Sequence, residues 1–255
     1  MVKGFWSEYF AKRPRGLWTA SPIKTDVEHR TKFRSFTVAK STTEILVSAA
    51  RENRTSLTAT VQAAVAASIF THLPVEKYSV LTVDGAVSLR RFLPRAVISE
   101  EARGSSVSRY VEMHRRPKHG DEGLDLYSWD EARRIKGTID GELGKKGADS
   151  IVSLLRYAGN LKRLFKRAVG NDRSESFEFS NLGIIGAAKA DGDWEIGRMV
   201  FSQSADVIGA AMEVSLVTGG DGCLSIGFSW LEKVVEEEWI VGVMRSLRSR
   251  LEAFN

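Results

Sequence analysis

Apolar and polar positions alternate over residues 33–39 and again over residues 78–87, which predicts two strands with one buried face each. Between them the period changes. Apolar side chains recur every three to four positions over residues 41–54 and 58–73, the spacing of helices that bury one side. The first third of the chain therefore predicts the order strand, helix, helix, strand.

Several helix boundaries have their own signals. Ser41 followed by Glu44 matches a capping box, and Thr58 is expected to begin the second helix. Ser128, with acidic residues directly after it, predicts the start of a third helix that reaches about residue 143. A further helix is expected over residues 149–169.

The second half of the chain has the pattern of strands. Gly-Gly-Asp-Gly at residues 219–222 is a strong hairpin signal between two of them. A final helix is expected over residues 235–254, while residues 96–123 have only a weak pattern. The predicted strands of this half are residues 177–183, 194–204, 211–218 and 223–230. This order predicts an α+β fold: a mixed, largely antiparallel sheet with helices packed on one face.

The amino-terminal segment lacks the regular pattern of apolar residues that the rest of the chain shows. Residues 1–32 show no clean period, contain Pro14 and Pro22, and carry the aromatic residues Phe5, Trp6 and Trp18. We interpret residues 1–32 as an irregular aromatic and basic arm that packs by its aromatic side chains. Residues 33–255 are interpreted as one folded lobe.

The amino-acid composition excludes several classes of protein. The 255 residues are 43% hydrophobic and carry a net charge of +5, with a single cysteine, Cys223. One cysteine excludes a disulfide framework and a cysteine-rich zinc site, and we expect no metal. The sequence shows neither a signal peptide nor an apolar run long enough for a membrane span, so a cytoplasmic protein is expected. The basic residues alternate with acids on predicted helix faces, so nucleic acid is not expected as a partner.

Three phrases in the sequence carry a resemblance to a known family. They are Arg-Thr-Ser-Leu-Thr-Ala-Thr at residues 54–60, Val-Ser-Leu-Arg-Arg-Phe-Leu-Pro at residues 87–94 and Phe-Ser-Asn-Leu-Gly at residues 179–183. In this order and spacing they resemble the carboxy-terminal half of the fungal alcohol O-acetyltransferases. These belong with the chloramphenicol acetyltransferase, plant acyltransferase and condensation-domain folds. The resemblance covers roughly residues 18–254.

The resemblance implies two similar lobes that enclose a tunnel, with a His-x-x-x-Asp motif in the amino-terminal lobe. The histidine of that motif deprotonates the acceptor, and its aspartate pairs with an arginine that corresponds to the region of Arg90. In this sequence the residues four positions after each histidine are Phe33, Glu76, Lys118 and Gly123. The motif is therefore absent from these 255 residues.

The resemblance directs attention to Arg90, which is expected on a strand face shared with Ser88. Because a buried, unpaired guanidinium is costly, Arg90 is expected to pair with a carboxylate such as Asp84, to bind an anionic ligand, or to meet another chain. Ser180 and Asn181 end a strand that borders the family's tunnel. They are candidates for polarising a carbonyl, and the alternative for both is an ordinary turn.

Further candidates lie on the next two predicted strands. We take Gln203 as a catalytic candidate together with Arg90, Ser180 and Asn181. Some of the polar side chains on these strands would face the tunnel, and the alternative is that they face water. The substrate-binding candidates are Trp194, Ser202, Glu213 and Ser215.

The histidines are weaker candidates. His114 and His119 lie in an irregular basic segment near Asp121 and Asp125, and a His–Asp pair can serve as a general base. An exposed loop is the alternative for this segment. His72 is expected at the carboxyl end of a helix, where it interacts with the helix dipole.

Three functions remain open, and we favour the first. It is a tailoring enzyme of secondary metabolism that acts on a small hydrophobic substrate without a cofactor. Positioning and hydrogen bonds would then drive cyclisation, cycloaddition, isomerisation or dehydration. The second is a subunit of a split acyltransferase that uses acetyl-CoA and a partner lobe bearing His-x-x-x-Asp. The third is a non-catalytic homologue. We also expect a homodimer, because a single lobe exposes an apolar inter-lobe face.

Overall fold

The computed structural model describes residues 13–24, 26, 28–93, 106–117, 126–148, 159–186 and 195–254. In this part of the chain the sequence forms one six-stranded sheet and five helices. The strands are β1 (Thr31–Val38), β2 (Val80–Ser88), β3 (Val107–Arg115), β4 (Phe177–Ile184), β5 (Met212–Thr218) and β6 (Leu224–Leu231). The helices are α1 (Lys40–Glu52), α2 (Leu57–Thr71), α3 (Trp129–Gly144), α4 (Leu161–Ala168) and α5 (Glu237–Glu252).

The sheet has the strand order β1-β6-β5-β4-β2-β3. Three neighbouring pairs, β1–β6, β5–β6 and β2–β3, are antiparallel, whereas β2–β4 and β4–β5 are parallel. The predicted mixed, largely antiparallel sheet is therefore confirmed. Because β2, β4 and β5 run in the same direction, their carboxyl ends meet at one edge of the sheet.

Four helices pack in one layer, with α2 at its centre in contact with α1, α3 and α5. Residues 59–70 of α2 are all buried. Its alanines leave little side-chain volume, so neighbouring helices approach it closely while Val61, Val65 and Ile69 reach the core. The predicted arrangement of helices on one face is confirmed.

The helix caps agree with the sequence in part. Ser128 caps α3 by accepting a hydrogen bond from the backbone N–H of Glu131, as predicted. The prediction for α1 is wrong: the helix begins at Lys40 after Ala39, with no side-chain cap, so Ser41 lies inside its first turn. For α2 the cap is Ser56, whose hydroxyl accepts from Ala59 N, so the helix begins at Leu57, one residue before the expected Thr58.

The structure differs from the predicted strands in two places. Residues 107–115, in the weakly patterned segment, form edge strand β3. Residues 195–204, expected as a strand, form neither strand nor helix. Both differences come from tertiary contacts. The inward side chains of β3 are polar, so the strand lacks an apolar alternation in the sequence. Residues 195–204 lie over the sheet instead of joining it. The start of the helix expected at residue 149 lies outside the described residues.

The amino-terminal segment contributes to the core. Leu17 pairs with Val80 in an isolated parallel bridge, and Trp18 packs on Trp239 of α5 with ring centroids 4.8 Å apart. Both Leu17 and Trp18 are buried. Packing by the aromatic Trp18 agrees with the expected arm, whereas Phe5 and Trp6 lie outside the described residues. The division at residue 32 stays a prediction.

Within the described ranges no helix is both long and apolar enough to cross a membrane.

Candidate functional site

The two faces of the sheet differ in chemistry. The face under the helices is apolar and includes Phe177, Phe179 and Val214. On the opposite face, register places Glu178 of β4 beside Glu213 of β5, and Glu213 beside Ser229 of β6. Adjacent strands are about 4.8 Å apart, so three polar side chains stand next to one another in one row.

A row of small residues lies next to this polar row. Ser180 of β4 pairs with Ser215 of β5, and Ser215 pairs with Gly227 of β6. A Cβ built on Gly227 would lie 2.6 Å from the ring of Phe33 on β1 and 3.0 Å from the carbonyl oxygen of Phe201. Glycine therefore leaves room for the Phe33 ring and for the segment that passes closely over the sheet.

Residues 195–206 cover this face. The backbone N–H of Gly220 donates to the carbonyl of Gly197 at 2.9 Å, which ties the segment to the β5–β6 hairpin. At its other end Gln203 Nε2 donates to Glu178 Oε1 at 3.4 Å. We define the polar cluster as the residues that the cover and the sheet bring together: Glu178, Gln203, Glu213, Ser215 and Ser229.

The polar cluster is buried but incompletely hydrogen-bonded. Glu213 is 2% exposed, and Ser215 and Ser229 are each 1% exposed. Among the described residues, Glu213 Oε2, Ser215 Oγ, Ser229 Oγ and Gln203 Oε1 have no hydrogen-bond partner. Buried polar atoms nearly always have partners in folded proteins. Four unpartnered atoms in one place make the polar cluster a candidate binding site.

Electrostatics favour a protonated carboxyl in the polar cluster. Burial, as the largest cause, and the neighbouring charge of Glu178 together raise the pKa of Glu213 to about 10. Asp206 adds to the increase, while a hydrogen bond to the backbone of Asp206 opposes it. Two carboxylates side by side in a buried site cannot both ionise cheaply, so Glu213 is a proton donor at neutral pH.

This protonation makes stability depend on pH. Between its ordinary pKa of 4.5 and its folded value, Glu213 holds a proton in the folded chain and loses it on unfolding. The free energy of unfolding therefore falls as pH rises through this window, by at most about 1.4 kcal/mol per pH unit. We expect Glu213→Gln to remove this slope in urea denaturation between pH 6 and 9. Glu232→Gln, at an exposed ion pair with Lys32, is the matched control and should keep it; equal slopes for both variants would contradict the assignment.

Four of the eight sequence candidates meet at this face. Gln203, Glu213 and Ser215 belong to the polar cluster, and Ser180 lies beside Ser215. Ser202 is adjacent in the chain but exposed. Trp194 lies outside the described residues.

The other two candidates lie elsewhere. Asn181 faces the helices, where its Nδ2 donates to Thr58 Oγ1 at 2.9 Å and its Oδ1 accepts from Gly183 N at 2.8 Å. Arg90 is exposed in a 3₁₀ turn after β2, so the expectation that it shares a strand face with Ser88 is wrong. Asp84, its proposed partner, forms an ion pair with Arg109 at 3.2 Å.

Sequence reasoning missed Glu178 and Ser229. The signal for Glu178 is present, because it alternates with the core residues Phe177 and Phe179 in a strand that also contains Ser180. Ser229 alternates in the same way between Phe228 and Trp230. What the sequence does not contain is the register that brings Glu178, Glu213 and Ser229 into one row.

His114 belongs to a second polar group, on the helix side of the sheet. Its Nδ1 lies 2.7 Å from Glu131 Oε1 of α3, and its Nε2 lies 3.3 Å from Gln62 Nε2 of α2. Glu131 in turn bonds Arg134, and His114 and Arg134 together lower the pKa of Glu131 to about 2 despite its burial. His114 itself is only 1% exposed, and the network joins α2, α3 and β3, with Glu131 and Arg134 at its solvent-facing end. The possible partners Asp121 and Asp125, and His119, lie outside the described residues.

The described part of the chain contains no group of three histidine, cysteine or carboxylate side chains arranged to hold a metal ion.

The fold defines the class of protein. TRI3, a trichothecene 15-O-acetyltransferase from Fusarium sporotrichioides, matches 99% of this chain with a TM-score of 0.70 at 14% identity, and the chain covers 52% of it. A structure of condensation domain-mediated chain release from the enacyloxin polyketide synthase matches 98% of this chain with a TM-score of 0.62 at 14% identity, and the chain covers 46% of it. The chain therefore has the fold shared by acyltransferases and condensation domains.

The family model for alcohol acetyltransferase matches residues 19–247, so the chain belongs to the alcohol acetyltransferase family. A curated relative, "Probable alcohol acetyltransferase crmB" of Aspergillus fumigatus, is 27% identical over 93% of this chain and 52% of its own length. The chain spans about half the length of the curated relatives it matches. The resemblance found in the sequence is confirmed.

Proposed function

We propose that this chain forms one half of an alcohol O-acyltransferase and that its polar sheet face lines the site of the acceptor. The observation that carries the proposal is the polar cluster, whose buried atoms lack partners within the described chain. A buried face whose polar atoms lack partners is suited to bind a substrate with hydrogen-bonding groups. Membership of the alcohol acetyltransferase family makes acyl transfer the reaction to test first.

In this proposal the polar cluster orients the acceptor and does not activate it. Glu213, held between Glu178 and Ser229, can form a hydrogen bond with a polar group of the acceptor. Ser180 and Ser215 leave room beside it because their side chains are small. Orientation of this kind supplies rate by holding the reacting atoms close together.

The general base would come from a lobe that carries His-x-x-x-Asp, on whichever polypeptide it resides. Arg90 is exposed near the edge where β2, β4 and β5 end, a position from which it can meet the aspartate of that motif. Acetyl-CoA is the proposed acyl donor. The histidine would take the hydroxyl proton as the acceptor oxygen attacks the thioester carbonyl, and coenzyme A would leave as the thiol.

The polar face also carries apolar side chains that suit a covering lobe. Phe33 lies beside Ser229 in the register, Val111 lies beside Asp84, and Val107 shares the strand face of Val111; all three remain exposed. A lobe with the histidine motif, or a second copy of this chain in a homodimer, would bury them. Light scattering distinguishes a homodimer from a chain that needs a different partner.

The test is acyl transfer with and without the histidine lobe. We expect the chain alone, with acetyl-CoA and a panel of primary and secondary alcohols, to release no more coenzyme A than a blank. A fusion of the chain to an alcohol acetyltransferase lobe bearing His-x-x-x-Asp should form acetyl esters about 100-fold faster than the same fusion with that histidine changed to alanine. Ester formation by the chain alone, or equal rates for the two fusions, would show the proposal to be wrong.

A second candidate function is catalysis of cyclisation, isomerisation or dehydration without acyl transfer. The protonated carboxyl of Glu213 favours it, because a buried acid beside unpartnered hydroxyls can protonate or polarise a substrate carbonyl. This function predicts a product of unchanged mass, or one lighter by water, from the chain alone. Acetyl-CoA would then have no effect on the rate, and Glu213→Gln would slow the reaction.

A further inference from the structure

We propose that the polar cluster binds a protonated primary amine, so that the acceptor is an amino alcohol whose ammonium group docks on Glu178, Glu213 and the two buried serines. The inference rests on the proposed function for the hydroxyl of that acceptor, but the binding of the amine does not. It deepens the function by naming the class of substrate.

All four unpartnered atoms of the polar cluster can accept a hydrogen bond, and two of them are oxygens of a carboxyl and an amide group. Glu213 Oε2 and the amide oxygen Gln203 Oε1 have no partner among the described residues. The hydroxyls of Ser215 and Ser229 are unpartnered too, and a hydroxyl can accept as well as donate. An ammonium group has three N–H donors and no acceptor, so one such group can satisfy three of these four atoms.

The charges around the polar cluster favour a cation. Carboxyl groups outnumber guanidinium groups on this side of the sheet. The titratable groups that face Glu213 or its neighbours are Asp84, Glu175, Glu178, Asp206, Arg109 and Arg173. Arg109 pairs with Asp84 at 3.2 Å. Arg173 interacts electrostatically with Asp206 and Glu213; its Nη1 donates to backbone carbonyls, while its Nη2 has no partner among the described residues. Among the described residues no ion pair joins either Glu178 or Glu213 to a basic side chain.

Burial separates this site from an ordinary acidic surface. Ser215 and Ser229 are 99% buried and lie on the sheet face that residues 195–206 cover. An exposed acidic patch binds cations weakly because water screens it. A buried ammonium group paired with a carboxylate and hydroxyls is held much more strongly, since each of its protons has an acceptor.

The cluster reaches solvent at one end. Glu178 and Gln203 are only partly buried, whereas Glu213, Ser215 and Ser229 lie deeper. An amine can therefore enter past the Gln203–Glu178 hydrogen bond, with the rest of the molecule directed outward. This orientation leaves the hydroxyl end of an amino alcohol free to meet the acyl donor.

Binding must also balance charge. A proton resides on Glu213 in the empty site at neutral pH, as its raised pKa requires. When the ammonium enters, its positive charge stabilises the Glu213 carboxylate, and the proton passes to the buffer. One ammonium replaces one proton, so the net charge of the buried site is unchanged. No bond to carbon forms or breaks.

The experiment is calorimetric titration of the chain at pH 8 with 6-amino-1-hexanol and, as the matched neutral ligand, 1,6-hexanediol. Phosphate and MOPS buffers, which differ in ionisation enthalpy, reveal proton release. We expect the amino alcohol to bind at least 10-fold more tightly than the diol and to release up to one proton per molecule. Equal affinity for the two ligands, or no proton release, would overturn the proposal.

Variants assign the binding to the polar cluster. Glu213→Gln should weaken binding of the amino alcohol about 10-fold and abolish proton release, while Glu232→Gln should bind like the unmodified chain. Circular dichroism of each variant verifies folding, and Ser215→Ala provides a milder second change at the same site. Unchanged binding in both Glu213→Gln and Ser215→Ala would refute the site. Equal competition by potassium chloride would assign it to inorganic cations and refute the substrate class.

This assay is independent of acyl transfer. If the fusion protein forms esters but the chain does not bind the amine, the inference fails and the proposed function stands. If the amine binds and the fusion is inactive, the proposed function fails while the site remains.

Discussion

Gly85→Ala is expected to lower the free energy of unfolding by about 3 kcal/mol. A Cβ built on Gly85 of β2 would lie 2.0 Å from the ring of Tyr110, which is its register partner on β3. The ring cannot move aside, because it is 3% exposed and its hydroxyl donates to Gln62 Oε1 in α2. Overpacking of this kind costs about 1–3 kcal/mol, and a rigid neighbour places it at the upper end.

Urea denaturation of Gly85→Ala measures this loss, and Gly137→Ala is its matched control. Gly137 lies in α3, is exposed, and has no atom within 4 Å of a built Cβ. The same substitution there should stabilise the chain by about 0.5–1 kcal/mol, because alanine is the better helix former. In a double-mutant cycle, Tyr110→Ala should cost less in the Gly85→Ala background than alone. Additive effects would show that the ring is not what requires the glycine.

Arg173→Met is expected to cost about 3 kcal/mol of stability. The Arg173 side chain is 2% exposed and joins three parts of the chain through backbone carbonyls. Its Nε donates to Ser21 at 3.2 Å, and its Nη1 donates to Asp206 at 3.0 Å and to Ala210 at 2.7 Å. Methionine fills the space but donates nothing, and each carbonyl left without a donor costs about 1–3 kcal/mol. The substitution also removes the free-energy cost of burying a charged guanidinium, and this offsets part of the loss.

Arg163→Met in α4 is the control for Arg173→Met, because Arg163 is exposed and its loss should change stability by less than about 0.5 kcal/mol. Thermal unfolding compares the two variants. Limited proteolysis adds a local measurement: cleavage near residues 206–210 should accelerate in Arg173→Met alone. Equal melting temperatures for the two variants would contradict the role of Arg173.

Much of the fold follows from the sequence because its signals are local. The alternation in β1, β2, β5 and β6, the glycine-rich hairpin between β5 and β6, and the cap at Ser128 each depend on a few neighbouring residues. Strand β3 could not be predicted from local signals of this kind. Its inward positions carry Ser108, Tyr110, Glu112 and His114, whose burial is possible only because α2 and α3 supply their partners.

The candidate site was predictable in its residue types but not in its assembly. Ser180, Gln203, Glu213 and Ser215 could be selected from strand alternation and the family resemblance. That Glu178 stands beside Glu213 follows from the parallel register of β4 and β5, which no local pattern encodes. The expected role of Arg90 on a strand face failed because β2 ends at Ser88 and the chain then tightens into a 3₁₀ turn.

The pairing of β1 with β6 has a consequence for how the chain folds. Residue 31 pairs with residue 231, so β1 has no neighbour in the sheet until β6, about 200 residues further along the chain, is available. Contacts between such distant residues slow folding, because a long loop must close before they form. During synthesis β1 therefore remains unpaired until β6 has left the ribosome. The apolar groups of β1, including Phe33 and Phe36, are then exposed to other chains, which favours aggregation of nascent chains.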